Sequence, residues 1–133
     1  MWDRIVDVNL KSFFLMARYC LPQMMEGKAG GIINTASVQG LQSSPGVSAY
    51  AASKAGLHAL TAAMSGEVGE HGIRVNGIYV GSIMTSALEM VAGDPNLMGQ
   101  LEGKTPLGRV GEPADIAASQ VEPSSSSPSE NRL

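Results

Sequence analysis

The start of the chain places apolar side chains at helical spacing. Ile5, Val6, Leu10, Phe13, Phe14, Ala17, Leu21 and Met24 recur every three or four positions, which predicts a helix over residues 2 to about 25. "GKAGG" (27–31) breaks it. "IINTA" (32–36) is short, apolar and β-branched at its start, the pattern of a buried strand. "SVQGLQSSPG" (37–46) is rich in Ser, Gly and Pro and predicts a loop. An Ala-rich stretch of good helix formers follows from Val47 to about Gly69. "IRVNGIYV" (73–80) predicts a second strand and "GSIMTS" (81–86) a second loop. Two weaker helical pieces occupy 84–103, interrupted by "GDPN". "PLGRVGEPADIAAS" then predicts a turn and a helix with Pro113 at its first position.

Helix, strand, helix, strand, helix is the order of an α/β protein whose parallel strands are joined by a helical crossover. Two strands are too few for a stable sheet. The expected fold is therefore the later half of a Rossmann-like, doubly wound parallel sheet, incomplete. The final stretch, "SQVEPSSSSPSENRL", loses all periodicity and predicts disorder.

Composition narrows the function classes. The 133 residues are 44% hydrophobic and 16% charged, which suits one globular domain. A net charge of −3 with interspersed signs gives no reason to expect nucleic acid or an anionic membrane as a partner. Asp3, Arg4, Asp7 and Lys11 interrupt the start, so no signal peptide is expected, and no apolar run is long enough to span a bilayer. The single cysteine, Cys20, fits a reducing cytoplasm and reads as a small helix residue. Cys20, His58 and His71 are scattered, so no metal is expected.

The candidate chemistry collects at one place. In an open parallel sheet, ligands bind beyond the carboxyl ends of the strands. Ser37 ends the first predicted strand, and Val80 and Gly81 end the second. Tyr50 and Lys54, in "YAASK", lie four residues apart and share one face of the helix that follows Ser37. A free tyrosine has a pKa of about 10 and exchanges protons poorly at neutral pH; an ammonium one helical turn away favours the phenolate. Tyr50 could then trade a proton with a substrate oxygen while Ser37 donates a hydrogen bond to it. Hydride transfer, the remaining step, calls for a nicotinamide cofactor. Thr35 occupies the place where G-x-S-x-G requires glycine, which argues against a serine hydrolase.

These motifs together resemble the short-chain dehydrogenase/reductase family, in its oxoacyl-carrier-protein-reductase-like group. The resemblance covers roughly residues 1–118, the expected partial catalytic domain, and leaves 119–133 as a Ser/Pro-rich tail. It rests on "WDRIVDVNLKSFF", "GGIINTASVQG" with Ser37 thirteen positions before the tyrosine, "YAASKAG", "RVNGIYVGSIMT" and "PLGRVGEPADIA". The resemblance implies a catalytic set of Asn9, Ser37, Tyr50 and Lys54. Tyr50 is the implied acid/base. Lys54 is implied to lower its pKa and to bind the nicotinamide ribose, and Ser37 to orient the substrate carbonyl. Asn9 is implied to hold a water through a kinked backbone. Gly81, Ile83 and Thr85 are implied to contact the nicotinamide, and the Met-rich segment 84–98 to form a substrate lid. NAD or NADP is the implied cofactor, a small carbonyl/alcohol pair the substrate. The helices at 2–25 and 47–69 are the implied surface of a homo-oligomer. His58 reads as a packing or subunit-contact residue and Asn76 as structural.

Several family features are missing from the sequence. No TGxxxGxG turn or Asn-Asn-Ala-Gly motif is present, so the dinucleotide-binding half is not represented. The nicotinamide loop opens with Val80-Gly81 where the family has Pro-Gly, which loosens it. A frameshift is one expected origin of the serine-rich tail. The alternative expectation is a catalytically inactive truncated member that keeps its interface helices and only self-associates or pairs with a full-length relative.

Overall fold

The computed structural model describes residues 1–90 and 92–120. The chain divides into two compact units, one spanning Met1–Gly81 and the other beginning at Ser82. No change in composition along the sequence marks this boundary.

The first unit opens with a continuous helical run. Helix α1 (Trp2–Val6) passes into a π-helical turn (Asp7–Lys11) and then into α2 (Ser12–Gly27). In the π turn the Ser12 N–H reaches the Asp7 carbonyl instead of Val8. The Ser12 hydroxyl takes over Val8, donating to its carbonyl at 2.6 Å. Helix α2 ends with Lys28 in the left-handed region. Ala29 N–H bonds to Met24 O and Lys28 N–H to Met25 O, the paired bonds of a Schellman motif. The expected helix is thus present, two residues longer and with a π turn that its apolar spacing did not reveal. Ala17 is buried, whereas Phe14, expected to pack inward, is 48% exposed.

Strand β1 (Gly30–Ser37) and strand β2 (Ile73–Val80) form a two-stranded parallel sheet. The register runs from Gly30 opposite Ile73 to Ser37 opposite Val80. Helix α3 (Ser48–Val68) is the crossover between them. Its buried residues, Ala51, Ser53, Leu57, Thr61, Met64 and Val68, recur every two to four positions along one stripe. Leu57 is fully buried, a side chain worth about 1.5–3 kcal/mol of transfer energy. A core of Ala17, Met64, Val68, Ile73 and Val75 joins α2, α3 and the early part of β2, with Leu21, Met24, Met25, Ile32 and Leu60 packed around it. The buried Asn34 ties β1 to α3 by donating to Thr61 Oγ1 at 2.8 Å. Apolar burial therefore fastens the strand beginnings. The carboxyl ends, where Ser37 and Val80 sit side by side, are left for polar chemistry.

The second unit contains α4 (Ser86–Glu89), α5 (Pro95–Gly103) and α6 (Pro113–Gln120). The Asp94 carboxylate caps α5 by accepting from Asn96 N–H at 2.9 Å and Leu97 N–H at 3.4 Å, with Pro95 at its start. The "GDPN" break is thus the cap of the next helix. Ile83 and Gly111 form a parallel bridge, and Arg109 grips Asp115 through two nitrogens at 2.8 and 3.1 Å. Pro113 opens α6 as expected, and the helix carries Ser119 and Gln120, two residues of the expected tail. The rest of that tail, residues 121–133, lies outside the described residues. No helix among the described residues is long and apolar enough to cross a membrane.

Candidate active site

Tyr50 and Lys54 both belong to the first turns of α3 and are half-buried. The Lys54 ammonium lies 5.8 Å from the centre of the Tyr50 ring and 5.7 Å from that of Phe13, which α2 contributes. Both distances fall within cation–π range. Lys54 Nζ also donates to the Thr35 carbonyl of β1 at 2.9 Å. Burial among these groups strips water from the ammonium and holds its pKa below the ordinary lysine value of 10.5.

Ser37, at the end of β1, is buried. Its hydroxyl accepts from Gln39 N–H at 3.2 Å, capping the short 3-10 turn Val38–Gly40. It also donates to Val80 O at 3.4 Å, long enough to be a weak bond. A substrate oxygen could replace that partner at little cost. The turn after Ser37 lies directly on α3: a Cβ built on Gly40 would stand 2.8 Å from Ala55 N and Lys54 C. Only glycine lets the two backbones approach this closely.

Asn9 sits in the middle of the π turn, half-buried. Its amide donates to Ser53 Oγ at 3.3 Å, and Ser53 donates onward to the Tyr50 carbonyl at 2.6 Å. Hydrogen bonds thus join Asn9, Ser53 and Tyr50, Lys54 ties the same helix to Thr35 of β1, and Ser37 ends that strand, all within the first unit. Gly81 ends that unit, beside Val80 and exposed. Ile83 and Thr85 belong to the second unit, where Ile83 packs against Gly111 and Thr85 precedes α4.

Four contributors are not evident from residue type. The Thr35 carbonyl is backbone and leaves no signature. Phe13 belongs to an apolar stripe and carries no other mark. Gly40 was one glycine among several in a loop. Ser53 had a usable signal, because a serine inside an Ala-rich helix invites the question of which carbonyl its hydroxyl takes. His58 is exposed and tilted against Tyr79, ring centres 5.3 Å apart, so it makes a packing contact with β2.

A tyrosine and a lysine one turn apart on a crossover helix, a serine at the end of the strand that helix leaves and an asparagine in a π turn bonded to the same helix call for comparison with known proteins. The enoyl-(acyl carrier protein) reductase family matches residues 1–121. The chain belongs to the short-chain dehydrogenase/reductase family. It is 38% identical to estradiol 17-beta-dehydrogenase 8 of Callithrix jacchus, over 87% of this chain and 86% of the relative. It is 36% identical to the 3-oxoacyl-[acyl-carrier-protein] reductase FabG of Rickettsia felis, over 87% of this chain and 47% of the relative. A solved 4-hydroxyisoleucine dehydrogenase complexed with NADH superposes with a TM-score of 0.85 at 38% identity, covering 90% of this chain and 49% of that one. The chain thus spans about half the length of these last two short-chain dehydrogenase/reductase proteins, and its two strands and helices match that half of a Rossmann-type fold.

The donor set suits the nicotinamide ribose that the family implies. A lysine ammonium has three N–H donors. Among the described residues Lys54 gives one of them, to Thr35 O. Two donors on one rigidly held nitrogen match a pair of neighbouring sugar hydroxyls.

Proposed function

We propose that the chain carries the proton-transfer part of an NAD- or NADP-dependent oxidoreductase acting on a carbonyl/alcohol pair. The observation that supports this most strongly is that the Lys54 ammonium lies 5.8 Å from the Tyr50 ring and bonds to Thr35 O of the strand that ends in Ser37, while Asn9 reaches the Tyr50 carbonyl through Ser53. The nicotinamide, when bound, supplies or accepts the hydride. The protein's own groups do the rest. Tyr50 gives its phenolic proton to the carbonyl oxygen in reduction, or removes the alcohol proton in oxidation. Ser37 turns its hydroxyl from Val80 O to the same oxygen and fixes its place. Lys54 holds the ribose hydroxyls and presents positive charge beside the phenol. Asn9 steadies the helix start on which both sit. Gly81, at the end of the first unit, would lie toward the nicotinamide when it is bound; for Ile83, Thr85 and the Met-rich stretch 84–98, contact with nicotinamide or substrate is what the family resemblance implies.

The relatives' printed substrates include 3-oxoacyl groups carried on acyl carrier protein and a hydroxyamino acid, so a small carbonyl/alcohol compound is the substrate class proposed here. Titration of the purified chain with NADH and with NADPH, followed by fluorescence, tests the reading. Saturable binding that Lys54→Ala weakens about tenfold or more supports it. Absence of binding to either nucleotide contradicts it.

A second observation favours self-association. Trp2, Val8 and Tyr19, on the helices at the start of the chain, are 55%, 59% and 79% exposed. Exposed aromatic and apolar side chains on helices of this length are the material of a subunit interface. Pairing through residues 2–25 and 47–69, with itself or with a full-length relative, is the proposed use of that surface, with or without catalysis. Light scattering of wild type against Tyr19→Glu tests the self-pairing, which a monomeric wild type contradicts; co-purification with a full-length relative tests the other pairing.

A further inference from the structure

We infer that Ser53 is a positioning residue that couples the π turn around Asn9 to the Tyr50–Lys54 pair. Ser53 is only 1% exposed, so its hydroxyl must find partners within the protein. It has two. It accepts from the Asn9 amide at 3.3 Å and donates to the Tyr50 carbonyl at 2.6 Å. That carbonyl is the one an α-helix assigns to the N–H of Lys54, four residues on. The serine hydroxyl therefore shares the Tyr50 carbonyl with the backbone N–H of Lys54, at the helix turn that spaces the two side chains. A side chain bonded back to a carbonyl three residues earlier changes the local bend of a helix. In α3 that bond lies in the turn that carries both Tyr50 and Lys54, and so bears on how far Lys54 reaches toward Thr35 and how it lies beside the Tyr50 ring.

The other end of the connection is equally anchored. The π turn places Asn9 against α3, and the Ser12 hydroxyl closes the turn by bonding to Val8 O at 2.6 Å. Removal of the Ser53 hydroxyl leaves the Asn9 amide without its acceptor and the Tyr50 carbonyl without its second donor. The first turns of α3 then loosen, and water reaches the Lys54 ammonium. The importance of this for chemistry rests on the proposed oxidoreductase reading; the coupling itself does not.

The test reads Lys54 directly in the full chain. With carbon-13-labelled lysine, the ε-carbon resonance of Lys54, identified by its loss in Lys54→Met, is followed by NMR as pH is raised. Ser53→Ala is expected to move the midpoint up, toward 10.5. Asn9→Ala is expected to move it the same way, and the double variant no further. Ser53→Thr, which keeps the hydroxyl, is expected to retain the wild-type midpoint. If Ser53→Ala does not fold, Asn9→Ala carries the test. A Lys54 midpoint unchanged in the alanine variants, with only the unfolding midpoint lowered, overturns the inference. Titration of wild type with NADH and NADPH in parallel judges the oxidoreductase reading separately. A moved midpoint without nucleotide binding removes that reading and leaves the coupling standing.

Discussion

Gly40 and Lys54 touch backbone to backbone: a methyl group on Gly40 would lie 2.8 Å from Lys54 C and 3.0 Å from Lys54 O. Neither side of this contact is a flexible side chain, so neither can give way. Gly40→Ala should lift the 3-10 turn off α3 and cost about 1–3 kcal/mol. Gly66, also in α3, has open space around it, so Gly66→Ala should instead stabilise by up to about 1 kcal/mol through helix propensity. Urea unfolding of both variants checks the contrast.

Lys54 contributes to stability in a pH-dependent way whose sign follows from its lowered pKa. Burial disfavours the charged form in the folded chain, so below the folded pKa the penalty is fully present. Between that value and 10.5 the unfolded chain binds more protons, and stability rises with pH. Wild type should therefore gain stability relative to Lys54→Met as pH is raised from about 7 to about 10. Denaturant unfolding of the pair at a series of pH values measures this. A relative loss over that range would contradict the burial of the ammonium.

Thr61 accepts from the buried Asn34 amide at 2.8 Å and donates to Leu57 O at 2.7 Å. Thr61→Val keeps the shape and removes both bonds. The stranded Asn34 donor should cost about 1–3 kcal/mol, read as a lowered urea midpoint with an unchanged slope. Asn34→Leu combined with Thr61→Val should recover part of the loss, because the unpaired amide is then gone.

In the second unit, the Arg109 guanidinium and the Glu112 N–H hold the Asp115 carboxyl down to about 2. A depressed acid contributes stability above its unfolded value of 3.8 and loses it as pH falls toward about 2. The pair is solvent-exposed, so the effect should be small. Asp115→Asn should speed amide exchange in α6 near neutral pH and change nothing once wild-type Asp115 is itself protonated.

The sequence made some of this legible and hid the rest for physical reasons. Strand β2 was predicted at its observed bounds because Gly72 and Gly81 punctuate a β-branched run. Strand β1 begins at Gly30, two residues before the expected start, because Gly30 and Gly31 carry no side chain and join the sheet through backbone pairing alone. The π turn was invisible, since one shifted backbone bond does not alter which residues are apolar. Tyr50 and Lys54 could be found from their spacing. What surrounds Lys54 could not: a carbonyl at Thr35, a ring at Phe13 and a bare Cα at Gly40 are defined by the fold, and residue type does not announce them.

The central claim is that Tyr50 exchanges the substrate proton in a nicotinamide-dependent reaction. Its most direct test is the rate of NADH and NADPH oxidation by the purified chain in the presence of a panel of small ketones and 3-oxoacyl thioesters. Wild type should show carbonyl-dependent oxidation that Tyr50→Phe lowers about a hundredfold or more, the usual range for loss of a general acid. A Tyr50→Phe variant as fast as wild type, or a wild type with no carbonyl-dependent oxidation, would contradict the account.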